Sequence, residues 1–339
     1  MTDERTQLAD LFDRTRLADF FRRAQPANPF RRTPPANPFR RTPPANPFRR
    51  TPPAGPFDPT RPTSTSGHTQ PAGSFDRAPL ASPANRRQLV RLFRRLGVER
   101  GGILMVHASL GGAGLRDTDV RDALLDALGP DGTLVVPTFT PENSFTSRAY
   151  KALTDGMSED QEKEFRASVA PFDPGMTACP TMGVLAECVW TTRGAVRSGH
   201  PHTSLAGLGP LAQELLAEHD PHCHLGERSP LAKLYEAGAQ VLLFRVGFEA
   251  CSAFHLAEYR MRPTPPQRAY HCVVDEKGNW TSYQDIELYD GDFEAIGALL
   301  RRDLVKEREM AGKAVLLFGM REAVDRAGDQ MSGYRHGLT

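Results

Sequence analysis

The sequence predicts an α/β protein: a central, mainly parallel sheet, an antiparallel hairpin portion towards the C-terminus and a low-complexity N-terminal extension. Three observations predict it. From residue 86 onward, short apolar runs alternate with amphipathic helical patterns, as a parallel sheet covered on both faces requires. Residues 269–275 and 280–287 flank a Lys277-Gly278 turn and read as a hairpin. Before residue 86, proline and arginine recur in a nine-residue frame that matches no stacked repeat architecture.

Taken in order, Leu8, Leu11, Phe12, Leu17, Phe20 and Phe21 recur at helical spacing and predict a short amphipathic helix over 3–23. The stretch ANPFRRTPP at 27–35 then repeats at 36–44 and 45–53, with looser copies starting at Thr6, Thr15, Thr69 and Arg87. Its prolines block both helix and ladder hydrogen bonds, so residues 1–85 are expected to be a disordered tether. The pairs Arg31-Arg32, Arg40-Arg41 and Arg49-Arg50 make that tail basic. A pathway protein is the partner it would take, and no nucleic-acid partner is expected. A chain lacking residues 1–80 is expected to keep its main thermal transition and essentially its full turnover, because the deleted segment has no core of its own. Loss of a cooperative transition on truncation would contradict this.

The domain expected over 86–339 opens with a helical stripe of Leu89, Leu92, Phe93 and Leu96. Gly101-Gly102 turn the chain into an apolar strand at 103–106. A helix over 118–128 ends at Gly129, a buried strand follows at 133–137, and 241–246 reads as a central strand. The 39% hydrophobic content is low for 339 residues, but the shortage lies in the extension. No stretch approaches the ~20 apolar residues that span a bilayer, and no apolar run follows the first charges as in a signal peptide. Cys179, Cys188, Cys223, Cys251 and Cys272 lack paired spacing, which fits reduced thiols and a cytoplasmic location.

The segment that most nearly names a reaction is FHLAEY at 254–259, followed by YQDIE at 283–287. Side chains alternate along a strand, so Asp285 and Glu287 are expected to share a face. Imidazole has an ordinary pKa of ~6.5, and a carboxylate on one ring nitrogen leaves the other to take a proton. His255 is therefore read as a general base oriented by Asp285 and Glu287, suited to an amine or alcohol attacking an acyl donor. The loops after strands are where open α/β sheets bind ligands, which brings Ser109 and Thr138 to one edge, with helix capping as their plainer role. His107 reads equally well as a structural histidine. His200, His202, His219, His222, Cys223 and His224 supply enough imidazole and thiol for zinc.

Six motifs stand in register: GGILMVHASL at 101–110, GPDGTLVVPTFT at 129–140, MGVLAE at 182–187, VRSGHPHTS at 196–204, LGERSP at 225–230 and the His255 segment. In this order and at these separations, from about residue 86 to the C-terminus, they resemble the aminoglycoside 3-N-acetyltransferase family. The resemblance implies a three-layer α/β/α fold, distinct from the GNAT acetyltransferases, and acetyl transfer from acetyl-CoA to an amine. It implies His255 as the base and Asp285 and Glu287 as its acids, though some members carry these two acids in the reverse order. Ser109, Thr138 and Ser204 match positions that help hold CoA, and no metal is expected. A polycationic aminoglycoside-like acceptor would need carboxylates, for which Asp173 and Glu258 are the choices. Two other readings stay open: acylation of a biosynthetic or peptide amine in a natural-product pathway, and a non-catalytic binding module, against which His255, Asp285 and Glu287 argue. Cys251, four residues before His255, permits a Cys-His nucleophile, but the acids favour direct transfer.

Overall fold

The computed structural model describes residues 83–273 and 279–335. The expected helix over 3–23, the repeats before residue 83 and the Lys277-Gly278 turn lie outside the described residues, whereas the looser copy starting at Arg87 falls on the first described helix. Helix α1 (Pro83–Leu96) sets Leu89, Phe93 and Leu96 into the core and carries Arg94 and Arg95 in its last turn, where cations suit the helix dipole. Gly97, at φ +107, ends it with its N–H bonded to the Phe93 carbonyl at 3.1 Å. Strand β1 (Ile103–Ala108), helix α2 (Asp117–Leu128) and strand β2 (Thr133–Pro137) follow. Gly129, at φ 75, stops α2, and its N–H bonds to the Leu125 carbonyl.

A less regular stretch then carries α3 (Arg148–Thr154), α4 (Glu159–Ser168) and α5 (Val184–Trp190). Next come β3 (Val196–Arg197), β4 (Leu205–Leu208), α6 (Ala212–Leu216), α7 (Pro230–Glu236) and β5 (Gln240–Phe244). Helix α8 (Phe254–Arg260), the pair β6 (Gln267–Val273) and β7 (Trp280–Ile286), helix α9 (Phe293–Leu304), strands β8 (Lys306–Met310) and β9 (Lys313–Gly319), and helix α10 (Met320–Arg335) complete the chain.

Seven strands form one sheet in the order β3-β4-β2-β1-β5-β9-β8. The α/β class holds, with parallel pairing concentrated at the centre, where β1 lies between β2 and β5. The flanks are antiparallel. On one flank the connection is too short for a crossover: Ala311 and Gly312, both at positive φ, link β8 directly to β9, as a tight hairpin demands. β6 and β7 form a separate antiparallel pair, which confirms the expected hairpin strands.

Alternation along the strands divides the core. Ile103, Met105, Val135, Val241 and Leu243 face α7 to α10, while Leu104, Val106, Leu134, Val136 and Leu242 face α1, α2 and α5. Three layers result. Against the first face, Gly297 of α9 lies where a Cβ would come 1.9 Å from Cγ of Phe248, a ring only 1% exposed. Alanine gains about 1 kcal/mol of helix propensity over glycine, but overpacking a buried ring costs about 1–3 kcal/mol. Gly297→Ala is expected to lower the urea midpoint; a raised midpoint would mean that the ring yields freely.

Candidate active site

His255 and Glu258 stand three residues apart on α8, the spacing that stacks side chains on one helix face. Nδ1 of His255 lies 2.6 Å from Oε2 of Glu258. The other carboxylate oxygen, Oε1, accepts from Nη1 of Arg335 at 2.7 Å and from the Tyr289 backbone N–H at 3.0 Å. Arg335 ends α10 and also grips both oxygens of Asp292, at 2.6 and 2.8 Å. Burial pulls the guanidinium down, but Asp292 and Glu258 outweigh it and hold its pKa above the ordinary arginine value. Glu258 is fully buried, so this cation and the amide compensate a charge that burial alone would penalise. The carboxylate thus occupies the Nδ1 side of the His255 ring and leaves the Nε2 side to other partners.

His255 lines a cavity of about 350 Å³ at the C-terminal ends of β1 and β2, with His107, Thr181, Glu249, Ser252 and Asp290 also in its wall. That is the strand end at which open α/β sheets bind ligands. Glu249 is an exposed carboxylate in a 3₁₀ turn (Phe248–Ala250), and Asp290 lies in the loop before α9, ion-paired with Arg148. Sequence reading passed over both acids, since neither loop carries a periodic signal.

The structure separates His255 from the acids expected to orient it. Asp285 is buried, and its Oδ2 accepts from the His224 N–H at 2.6 Å, from His224 Nδ1 at 2.8 Å and from the Tyr259 hydroxyl at 2.5 Å. Burial works to raise its pKa, but the bonds from His224 and Tyr259 prevail and lower it. Glu287 lies just beyond the end of β7, exposed, 3.4 Å from Arg268. Arg268 pairs with Asp285 across the ladder and also reaches Glu287, while Asp285 is engaged by His224 rather than by His255. Glu258, expected on the acceptor side, is instead the carboxylate bonded to His255. Had FHLAEY been read as helical, its i,i+3 His–Glu spacing would have found the pair.

The three positions expected to hold CoA also divide. Thr138 and Ser204 are fully buried in a clamp between β2 and β4: Thr138 Oγ1 donates to the Ser204 carbonyl at 3.0 Å, and Ser204 Oγ donates to the Thr138 carbonyl at 2.7 Å. Arg197 reinforces it with bonds of 3.0 Å to Ser204 Oγ and 2.7 Å to the Thr138 carbonyl. Hydroxyls so engaged hold strands together and leave no donor for CoA. Ser109 follows β1 directly, its N–H on the Phe244 carbonyl at 3.0 Å, next to the cavity residues His107 and Ala108. Asp173 is exposed, with Oδ1 accepting the Gly175 N–H at 2.7 Å within its own turn.

The histidine cluster is a packed group of rings. His200 lies 4.6 Å, centroid to centroid, from both His219 and His224, and His224 lies 4.1 Å from Tyr270. Burial drives the pKa of His202 to about 3 and that of His219 to about 4, and holds His200 well below its ordinary value. Among the described residues no group of three or more His, Cys, Asp or Glu is arranged to hold a metal ion. All five cysteines are buried and unpaired, and burial pushes the Cys251 thiol up to about 12, far from a ready nucleophile. No described helix is long and apolar enough to cross a membrane.

Comparison with known proteins places this architecture. The family model for aminoglycoside 3-N-acetyltransferase matches residues 105–332. The aminoglycoside N(3)-acetyltransferase VII of Streptomyces paromomycinus is 32% identical over 268 residues, covering 72% of this chain and 90% of the relative. YokD of Bacillus subtilis, described as an SPbeta prophage-derived aminoglycoside N(3')-acetyltransferase-like protein, is 29% identical over 256 residues, covering 72% and 91%. Its crystal structure matches with a TM-score of 0.67 at 26% identity, over 73% of this chain and 93% of that one. A structure of AAC-IIIb as a binary complex with CoASH matches with a TM-score of 0.63 at 26% identity, covering 74% and 96%. A family model spanning the sheet, the cavity and α8 carries the conclusion: this chain belongs to the aminoglycoside 3-N-acetyltransferase family, whose members are acetyl-CoA-dependent transferases.

Proposed function

We propose that the chain transfers the acetyl group of acetyl-CoA to a primary amine of an aminoglycoside-like polycation, with His255 as general base oriented by Glu258. One observation carries the reading: the 2.6 Å His255–Glu258 bond in the wall of the cavity. A carboxylate on Nδ1 fixes the tautomer in which Nε2 accepts the amine proton, and positive charge developing on the ring is met by the buried carboxylate. The cavity suits the thioester end of acetyl-CoA, with the rest of the cofactor reaching outward past Ser109. Glu249 and Asp290 are the carboxylates best placed to draw in ammonium groups, ahead of Asp173. Residues 86–339 would be the catalytic domain and 1–85 a tether, acting in the cytoplasm. Neither the biosynthetic-amine reading nor the binding-module reading has an observation that favours it over this one.

Release of CoA thiol, followed against a panel of aminoglycosides and of monoamines, tests the proposal. Thiol release is expected with polycationic acceptors and at most weakly with monoamines, with rates falling as salt screens the acids. Acetyl-CoA binding without thiol release on any amine would point to a binding module.

A further inference from the structure

Beside the base stands a second histidine that the reading above leaves without a task. His107, near the end of β1, is 5% exposed and lines the same cavity. Its Nε2 receives the backbone N–H of Ser252 at 3.1 Å, with Ser252 Oγ also at 3.1 Å. A backbone amide only donates, so Nε2 carries the lone pair and the ring proton sits on Nδ1. That Nδ1 is buried and has no hydrogen-bond partner. Orphaned buried donors are rare and cost about 1–3 kcal/mol each. Ser252 lies three residues before His255, so one short segment fixes both rings. Burial, and then the neighbouring His255, lowers the His107 pKa to about 3, so the ring stays neutral while His255 takes up a proton.

We propose that His107 is a second catalytic residue, whose Nδ1–H donates to the thioester carbonyl oxygen as it becomes an oxyanion. This rests on the transferase reading. In the step, the acceptor nitrogen bonds to the carbonyl carbon, the carbonyl π pair moves onto oxygen, and the amine proton passes to His255 Nε2. On collapse the C=O bond re-forms, the C–S bond breaks, and the departing thiolate takes the proton from His255. His107 gains and loses nothing. It is a fixed dipole facing the one atom whose charge rises and falls, which is why a neutral ring serves and a charged one is not needed.

His107→Phe in the full chain removes the donor and keeps a ring. Turnover is expected to fall roughly 10²–10³-fold, the usual cost of one oxyanion donor, with acetyl-CoA Kd changed less than about threefold and His107→Asn, which restores an N–H, recovering part of the loss. Near-normal turnover, or a loss confined to acetyl-CoA affinity, overturns the inference. Should the variants fail to fold, imidazole ¹⁵N shifts of the wild-type chain decide it. They should show His107 protonated on Nδ1, with that N–H shifting when a ketone analogue of acetyl-CoA, unable to transfer its acyl group, binds. A proton on Nε2, or no shift on binding, overturns it equally. If His255→Ala abolishes turnover and His107→Phe does not, only this inference fails; if His255→Ala leaves turnover intact, the underlying reading fails.

Discussion

His255→Ala is expected to lower turnover by roughly 10²–10⁴-fold, the span of a positioned general base, while acetyl-CoA affinity stays nearly unchanged. Glu258→Gln should approach the same loss, because the amide can neither hold the donor tautomer as firmly nor balance charge on the ring. It has a second cost. Removing one partner of the buried Glu258–Arg335 contact leaves a guanidinium short of a counter-charge, which typically costs about 3–5 kcal/mol, though Asp292 softens this by keeping two bonds of its own. Thermal melts would therefore register Glu258→Gln more strongly than His255→Ala, which takes from Glu258 one bond and no counter-charge of Arg335. The double variant should be little slower than either single one, since groups acting as a unit are not additive. Glu287→Gln, on an exposed acid paired with Arg268, should leave turnover within about twofold. Turnover lost with Glu287→Gln and retained with Glu258→Gln would return the orienting role to β7.

The second large effect is acid lability. His107 and His202 near 3, His219 near 4 and His200 well below its ordinary value are neutral in the folded protein, while the unfolded chain protonates each near ~6.5. Each favours the fold fully above ~6.5 and loses that stability as pH falls from there towards its folded value, because unfolding then takes up a proton. Each contributes a limiting slope of about 1.4 kcal/mol per pH unit, so the four together reach at most about 5.5 kcal/mol per unit. Asp285, whose pKa is lowered, adds to the loss only below its ordinary carboxylate range. Urea midpoints should be flat above pH 7 and fall steeply between pH 6 and 4.5. His202→Gln should remove about a quarter of that slope. A midpoint independent of pH across this window would mean that these rings meet water or charge in the folded state.

The central strands and α1 were legible because buried elements write their burial into the sequence as apolar runs and stripes. Strand β8 was not: KEREM is almost wholly exposed, an edge whose charges discourage pairing with another chain and so carry no apolar alternation. Sequence reading singled out His255, which the structure sets in the wall of the cavity. Its contact with Glu258 was missed because no period was assigned to 254–259, and a histidine three residues before a glutamate is adjacent on a helix and opposed on a strand. Asp285 was expected on His255, and the ring it bonds is His224. Arg335, eighty residues beyond the base, leaves no local mark at all, for what makes it matter is where α10 lands against α8.

Because His255 and its carboxylate Glu258 share one helix, helical pitch alone sets their spacing, and Arg335 and the Tyr289 amide brace them from behind. The acids best placed to meet an acceptor stand instead on the turn at Glu249 and the loop at Asp290, segments that tolerate substitution and insertion far better than a packed helix does. On the proposed reading, reactivity and selectivity are therefore inherited on separate pieces of chain. Drift in the two loops would then retarget the catalyst from one amine to another without disturbing the proposed proton transfer, whereas a single residue inserted between positions 255 and 258 would turn the carboxylate about 100° around the helix and is expected to extinguish every substrate at once.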